Sequence, residues 1–431
     1  MSRLEPTNEA SAMQKEISAI ADQGGGTTKV EQLIQQYCPD GVEYKTLGEV
    51  CDIKGRIGFR GYTRQDLVEE ADGAITLSPS NITNQELSYE NCSYISWAKY
   101  EESPEIKVAV GDVIFTKTAS VGKTALVKYL PKEATINPQL VVLKNIQSNP
   151  AFLAYVLKSH RFQQEVVKLQ GVGSVPNISQ TALSGITIPV PPLPVQEEIV
   201  RILDTLTELQ AELQAELQKR KQQYEYYRDK LLSFSDLGNW GGRNVSVEWK
   251  KIKEVYQRIK GTPITAGKMK EIQCPTGEIR IFAGGKTVID ANEADIPNAN
   301  ITRVPSVLVQ SRGVIDAIYY DKPFTFKNEM WAYTHKEQTS VKFLYYIMKQ
   351  NIQHFRDAAS GMGALPQISL GTTEDFIIPV PPFSVQKQIV DILDRFDTLT
   401  NDLTAGLPAE IEARRKQYEY YRDKLLTFKK K

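Results

Sequence analysis

Residues 188–206 read IPVPPLPVQEEIVRILDTL, and residues 378–396 read IPVPPFSVQKQIVDILDRF. Further on, QYEYYRDKLL occurs twice without change, at Gln223–Leu232 and at Gln417–Leu426. Shared helix propensity does not reproduce ten letters in order, so the chain is an internal duplication with a period near 190 residues. Solenoid units repeat every 20–50 residues or so, which is far shorter. The period equals one domain plus one connecting helix. A chain of 431 residues then runs domain, helix, domain, helix. That plan has pseudo-two-fold symmetry and suits a partner or substrate that also comes in two halves.

Each copy opens alike, with VEYKTLGEV at Val42–Val50 and VEWKKIKEV at Val247–Val255. Short alternating or β-branched runs bounded by turn residues read as strands. Examples are Val113–Thr116, Leu140–Leu143, Val307–Gln310 and Ile315–Tyr320. One helical stretch follows in each copy, Pro150–Leu169 and Ser340–Ala358, and then a matching turn, VPNIS at Val175–Ser179 and LPQIS at Leu365–Ser369. The expected class is α+β, with two mixed α/β domains rather than parallel βαβ units.

After each Pro-Pro break, apolar residues step by threes and fours. In the first copy they are Ile199, Ile202, Leu206, Leu209, Leu213, Leu217, Tyr224, Tyr227 and Leu231. This is a coiled-coil-like seam. At the standard rise a seam of some 30 residues is about 45 Å long, more than one domain of this size needs. Two such seams in one chain bury each other most economically as an antiparallel pair. The second copy carries four extra residues around Gly406 and Pro408, which predicts a break there. The expected organisation is a mobile N-terminal arm at 1–28 with a short helix near Met13–Ile20, a first domain at 29–190, a spacer helix at 191–236, a second domain at 237–380 and a helical region at 381–431.

Several chemistries are excluded by their missing residues. Gly122-Lys123-Thr124 and Gly285-Lys286-Thr287 resemble the end of a phosphate-binding loop, but the glycine required five positions earlier is Lys117 or Arg280. The three histidines, His160, His335 and His354, have no metal-ligand partner at fixed spacing. Asn137-Pro138-Gln139-Leu140 lacks the second proline and aromatic of an amino-methyltransferase motif. The four cysteines form no CxxC pair and read as free thiols in a reducing cytosol. No apolar run reaches membrane-spanning length, and the polar N-terminus is not a secretory signal. The formal net charge is zero, so any nucleic-acid surface must arise from local clustering. A large duplicated chain without a catalytic constellation reads as a recogniser or a scaffold.

The layout resembles the specificity (S) subunit of type I restriction–modification systems. The resemblance runs from Val30 to the C-terminus. It rests on IPVPPxxVQxxIVxILD at Ile188 and Ile378, on both QYEYYRDKLL segments, on CPDGVEY at Cys38–Tyr44 and on Gly111–Lys123. The second copy departs at that last stretch, reading PSVLVQSRG at Pro305–Gly313. The resemblance implies two target-recognition domains, each reading one half of a bipartite site in double-stranded DNA. It implies helices that set the spacing and dock two modification (methyltransferase) subunits, with restriction (translocase/nuclease) subunits completing a cytoplasmic assembly. This chain would be non-catalytic by itself and hold no cofactor, with S-adenosylmethionine, ATP and Mg on the partner subunits. The rival readings are a coiled-coil scaffold that does not read DNA and a self-sufficient DNA methyltransferase.

Base reading takes Arg, Lys, Asn, Gln and Ser on exposed loops, with phosphate contacts fixing register. The first domain offers Lys54, Arg56, Arg60 and Arg64 among glycines, then Lys117, Thr118, Ser120 and Lys123. The second offers Arg258, Lys260 and Lys268, then Gln310, Ser311 and Arg312. Arg60 and Arg312 are the expected DNA contacts. Three tyrosines in four positions cannot all face one seam, so Tyr226 and Tyr420 should point outward. Tyr226, Tyr227, Arg228, Tyr420, Tyr421 and Arg422 are therefore candidates for partner docking, although Tyr224, Tyr227 and Leu231 also fit seam spacing.

Overall fold

Leu140–Lys144 is apolar at four successive positions because both faces of the strand are covered. Alternation sends Val141 and Leu143 into one core with the helix Pro150–Lys158, and Leu140 and Val142 into another with Ile75, Leu77 and Ala134. The computed structural model that shows this describes residues 28–56, 62–83, 86–171, 173–234, 246–285, 287–360, 365–402 and 404–431. The expected arm, apart from Thr28, lies outside the described residues.

In the first domain an antiparallel sheet runs in the order Asp52–Gly55, Leu140–Lys144, Val113–Thr116, Thr124–Leu126. A second sheet is ordered Ala134–Ile136, Gly73–Leu77, Ser93–Ser96, Leu67–Val68, and its first pair is parallel. The opening strand Glu43–Thr46 pairs antiparallel with Thr187–Val190, the strand before the Pro-Pro break. The second domain repeats the plan. Its main sheet is Gln257–Lys260, Trp331–Thr334, Ser306–Gln310, Asp316–Tyr320, and Glu248–Lys251 pairs with Ile377–Val380. Its second sheet has three strands, with Ile279–Phe282 parallel to Phe324–Phe326. Val307 and Val309 face the core of the helix Gln338–Gln350, while Leu308 faces Phe282, Phe324 and Phe326.

The helical stretches carry breaks the residues explain. Pro150–Leu169 is two helices, Pro150–Lys158 and His160–Lys168, because Ser159 leaves helical geometry and its hydroxyl accepts from the Phe162 amide. The central helix Leu193–Ser233 is continuous over 41 residues. Its counterpart is split into Phe383–Asn401 and Leu407–Leu425. The split lies between Asn401 and Leu407, with Gly406 in it and Pro408 in the first turn beyond, where the four-residue mismatch puts it. A Cβ on Gly406 would sit 2.3 Å from the Thr398 carbonyl oxygen, and Asp402 Oδ1 accepts from the Thr404 and Ala405 amides.

Packing divides the chain into two units that differ from its linear order. One holds residues up to Glu212 together with Glu412–Lys431, and the other holds Leu213–Ile411. In the first unit Ile199, Ile202, Leu203 and Leu206 share a core with Tyr418, Tyr421, Leu426 and Phe428. The last residues also reach the opening strand: Tyr44 donates to the Phe428 carbonyl, and Val42 pairs with Lys430. Gly41 has a φ of +114°, and a Cβ there would meet the Lys429 carbonyl at 2.8 Å. In the second unit Leu232 and Phe234 share a core with Val385, Ile389, Val390 and Leu393. The seam residues Leu213 and Leu217 are half-buried and join neither core.

Candidate nucleic-acid interface

The turn after Val113–Thr116 is locked by main-chain bonds. The Ala119 amide donates to Pro176 O at 2.9 Å and the Ile178 amide to Lys117 O at 2.9 Å, while Thr118 and Asn177 face each other in an antiparallel bridge. Gly171 joins as a third segment, donating to Asn177 O. Ala119 is held at a φ of +65°, a conformation non-glycine residues rarely adopt. The second domain builds the same lip from other residues. There the Gly313 amide donates to Pro366 O at 2.8 Å and the Ile368 amide to Ser311 O at 2.9 Å. Arg312 and Gln367 form the bridge, Ser360 replaces Gly171, and Gly313 has a φ of +79°. The departure at Pro305–Gly313 is thus one of side chains, with the backbone retained.

Side chains on and around the lips fall into two groups. Some are turned inward or are already bonded within their own domain. Arg56, expected on an exposed loop, is buried, and its guanidinium donates to Ile136 O at 3.2 Å and to Thr135 Oγ1 at 3.4 Å, with Tyr62 over it at 5.2 Å. Burial lowers its pKa. Gln310 and Ser311 are also buried, bonding to Gly285 O and Glu329 O, since Gln310 ends a strand covered on both faces and Ser311 follows it directly. These three are corrections: their polar groups are spent inside the protein and not held out on exposed loops. Lys123 is exposed, and its Nζ donates to Pro79 O at 3.3 Å and Ile82 O at 3.4 Å. Arg258 pairs with Glu374 at 3.4 Å and Lys268 with Glu271 at 2.7 Å. Arg60 lies outside the described residues.

Others remain available. Lys117 is half-buried, and that burial holds its pKa below the usual lysine value. Lys54 and Thr118 are half-buried; Ser120, Arg64, Lys260 and Arg312 are exposed. Asn177 and Gln367 are exposed too, Asn177 making only a 3.4 Å contact to Val175 O. Sequence reasoning did not single out this pair, although VPNIS and LPQIS place an amide at the same point of both copies.

The tyrosine-rich segments repeat each other in detail. Tyr226 and Tyr420 are 61% and 60% exposed, as the spacing implies, with Lys230 and Lys424 over their rings at 5.9 Å. Arg228 lies over Tyr224 at 5.7 Å, and Arg422 over Tyr418 at 5.8 Å. Tyr227 is half-buried and stacks on Phe396 at 5.8 Å. Tyr421 and Arg422 are buried, which corrects their place among exposed docking residues: Tyr421 belongs to the core of the first unit, and Arg422 lies over Tyr418 beside it. Tyr420 lines an open groove of about 840 Å³ with Thr28, Ile34 and Leu425.

Comparison with known proteins fits this duplicated plan. The family described as "Type I restriction modification DNA specificity domain" matches twice, over residues 39–220 and 244–413. The chain belongs to this family. Over 274 residues the specificity subunit is 38% identical to the EcoR124I/EcoR124II specificity subunit of Escherichia coli, covering 59% of this chain and 65% of that one. Its fold is shared with the S subunit from M. genitalium, at a TM-score of 0.55 and 16% identity, covering 90% and 97% of the two chains. A chain from a type I restriction–modification assembly matches at a TM-score of 0.57 and 17% identity, covering 90% and 98%. No described helix of the specificity subunit is long and apolar enough to cross a membrane.

Proposed function

We propose that each domain reads one half of a bipartite site in double-stranded DNA. The observation that carries this reading is one backbone lip repeated in two domains, each presenting available polar side chains. Lys54, Lys117 and Lys260 suit phosphate oxygens, which fix register, while amide and guanidinium groups suit base edges. Tyr226 and Tyr420, exposed and flanked by cations, dock two modification subunits, since exposed aromatics are enriched at protein interfaces. Restriction subunits complete the assembly, which works in the cytoplasm. The chain supplies sequence choice; S-adenosylmethionine, ATP and Mg belong to the partners.

The test uses the specificity subunit reconstituted with its modification subunits. Lys117→Ala and Lys260→Ala each weaken binding to all duplexes alike and lower the slope of log affinity against log salt by about 1. An unchanged slope for both variants would remove these lysines from the DNA.

A further inference from the structure

A preorganised reader needs a rigid backbone and polar side chains not already spent inside the protein. The two lips meet that description at four positions. Thr118 and Asn177 face each other in the first domain, and Arg312 and Gln367 in the second. Main-chain bonds of 2.8–3.2 Å tie three segments together in each lip. The neighbouring polar groups are committed elsewhere: Arg56 to Ile136, Gln310 to Gly285, Ser311 to Glu329, and Arg258 to Glu374.

The side-chain types then limit what can be read. An Asn or Gln amide pairs in bidentate fashion with the N6 and N7 edge of adenine, and an Arg guanidinium with O6 and N7 of guanine. Residues facing across an antiparallel bridge have Cα atoms about 4.5–5.5 Å apart, comparable to the base-pair step of about 3.4 Å. Building on the DNA-reading proposal, we infer that Arg312 and Gln367 read a guanine and an adenine on adjacent base pairs of one half-site, and that Asn177 reads an adenine in the other. Thr118, with a short side chain at the place of Arg312, puts no guanidinium at that point of the first lip, where Lys117 is left to the phosphates. The two half-sites are therefore unlike, although the backbones that read them are alike.

The experiment maps methylation by the reconstituted complex on a random-sequence duplex library. Arg312→Ala relaxes one guanine requirement by about tenfold to a hundredfold, and Gln367→Ala relaxes the adjacent adenine. Asn177→Ala relaxes an adenine in the other half-site only. Arg312→Lys keeps the charge but not the two-pronged geometry, so it too loses the guanine preference. Variants that methylate every site less while keeping all base preferences would overturn the inference, as would a second half-site lacking adjacent G and A. A wild-type complex with no bipartite preference sinks the DNA-reading proposal itself. A bipartite wild type whose preferences survive all four substitutions sinks only this assignment.

Discussion

Tyr155→Phe is expected to destabilise its unit more than Tyr346→Phe destabilises the other, although the two tyrosines are copies. Tyr155 donates to Asp204 Oδ1 at 2.5 Å, and Tyr346 to Asp394 Oδ1 at 2.6 Å. Both bonds tie a domain helix to the helix after the Pro-Pro break. A hydrogen bond to a charged group contributes about 1.5–3 kcal/mol, and an abandoned buried acceptor adds its own desolvation cost. Asp394 has a second partner, Lys342 Nζ on its other oxygen, so it stays compensated when the Tyr346 hydroxyl is removed. Asp204 has no such direct lysine pair among the described residues, and the charges of Lys158 and Lys128 act on it only from a greater distance. The expected losses are about 2–3 kcal/mol for Tyr155→Phe and about 1–1.5 kcal/mol for Tyr346→Phe. Native-state hydrogen exchange of the intact chain reads each unit separately. A loss of 2 kcal/mol speeds exchange of the helix amides near Asp204 roughly 30-fold at 1.4 kcal/mol per decade. An equal or larger effect for Tyr346→Phe would refute the argument that the spare lysine matters.

The same tyrosines give an alkaline limit. Burial first, and then the neighbouring carboxylate, raises both pKa values. A raised folded pKa gives stability that is present below the ordinary tyrosine value of about 10 and lost as pH rises above it. Unfolding free energy should fall above about pH 10, less steeply in Tyr155→Phe; identical slopes would contradict this. Deleting Ala211–Gln214 removes about 6 Å of the central helix. Both half-sites should keep their sequence while the unread gap changes by one or two base pairs, as methylation mapping will show; an altered half-site would count against a spacer role. The double variant Tyr226→Ala, Tyr420→Ala should co-purify at least tenfold less modification subunit, a hot-spot-sized loss, whereas normal co-purification would free these residues from docking.

Much of the architecture was legible because it rests on local rules. The duplication, the break at Gly406 and Pro408, and the outward Tyr226 and Tyr420 all follow from letter spacing and helix geometry. What escaped the sequence depends on tertiary partners. Arg56 stands among glycines like a loop cation, yet it turns inward to the Ile136 carbonyl. Gln310 and Ser311 read as polar loop residues, but Gln310 ends a strand covered on both faces and Ser311, next to it, is buried too. The equivalence of Lys117–Ala119 with Ser311–Gly313 was hidden because main-chain bonds carry it, and these place little demand on residue type. Packing also pairs the end of the C-terminal helix with the first domain's core, a long-range choice that seam spacing alone leaves open.

On the proposed function, the two domains read the two halves of one site independently. The most direct measurement is methylation mapping in a host carrying the full system, comparing wild type with a chimaera whose residues 52–186 come from a relative of different specificity. The account predicts that one half-site changes while the other half and the gap stay the same. Changes in both halves, or in neither, would contradict it.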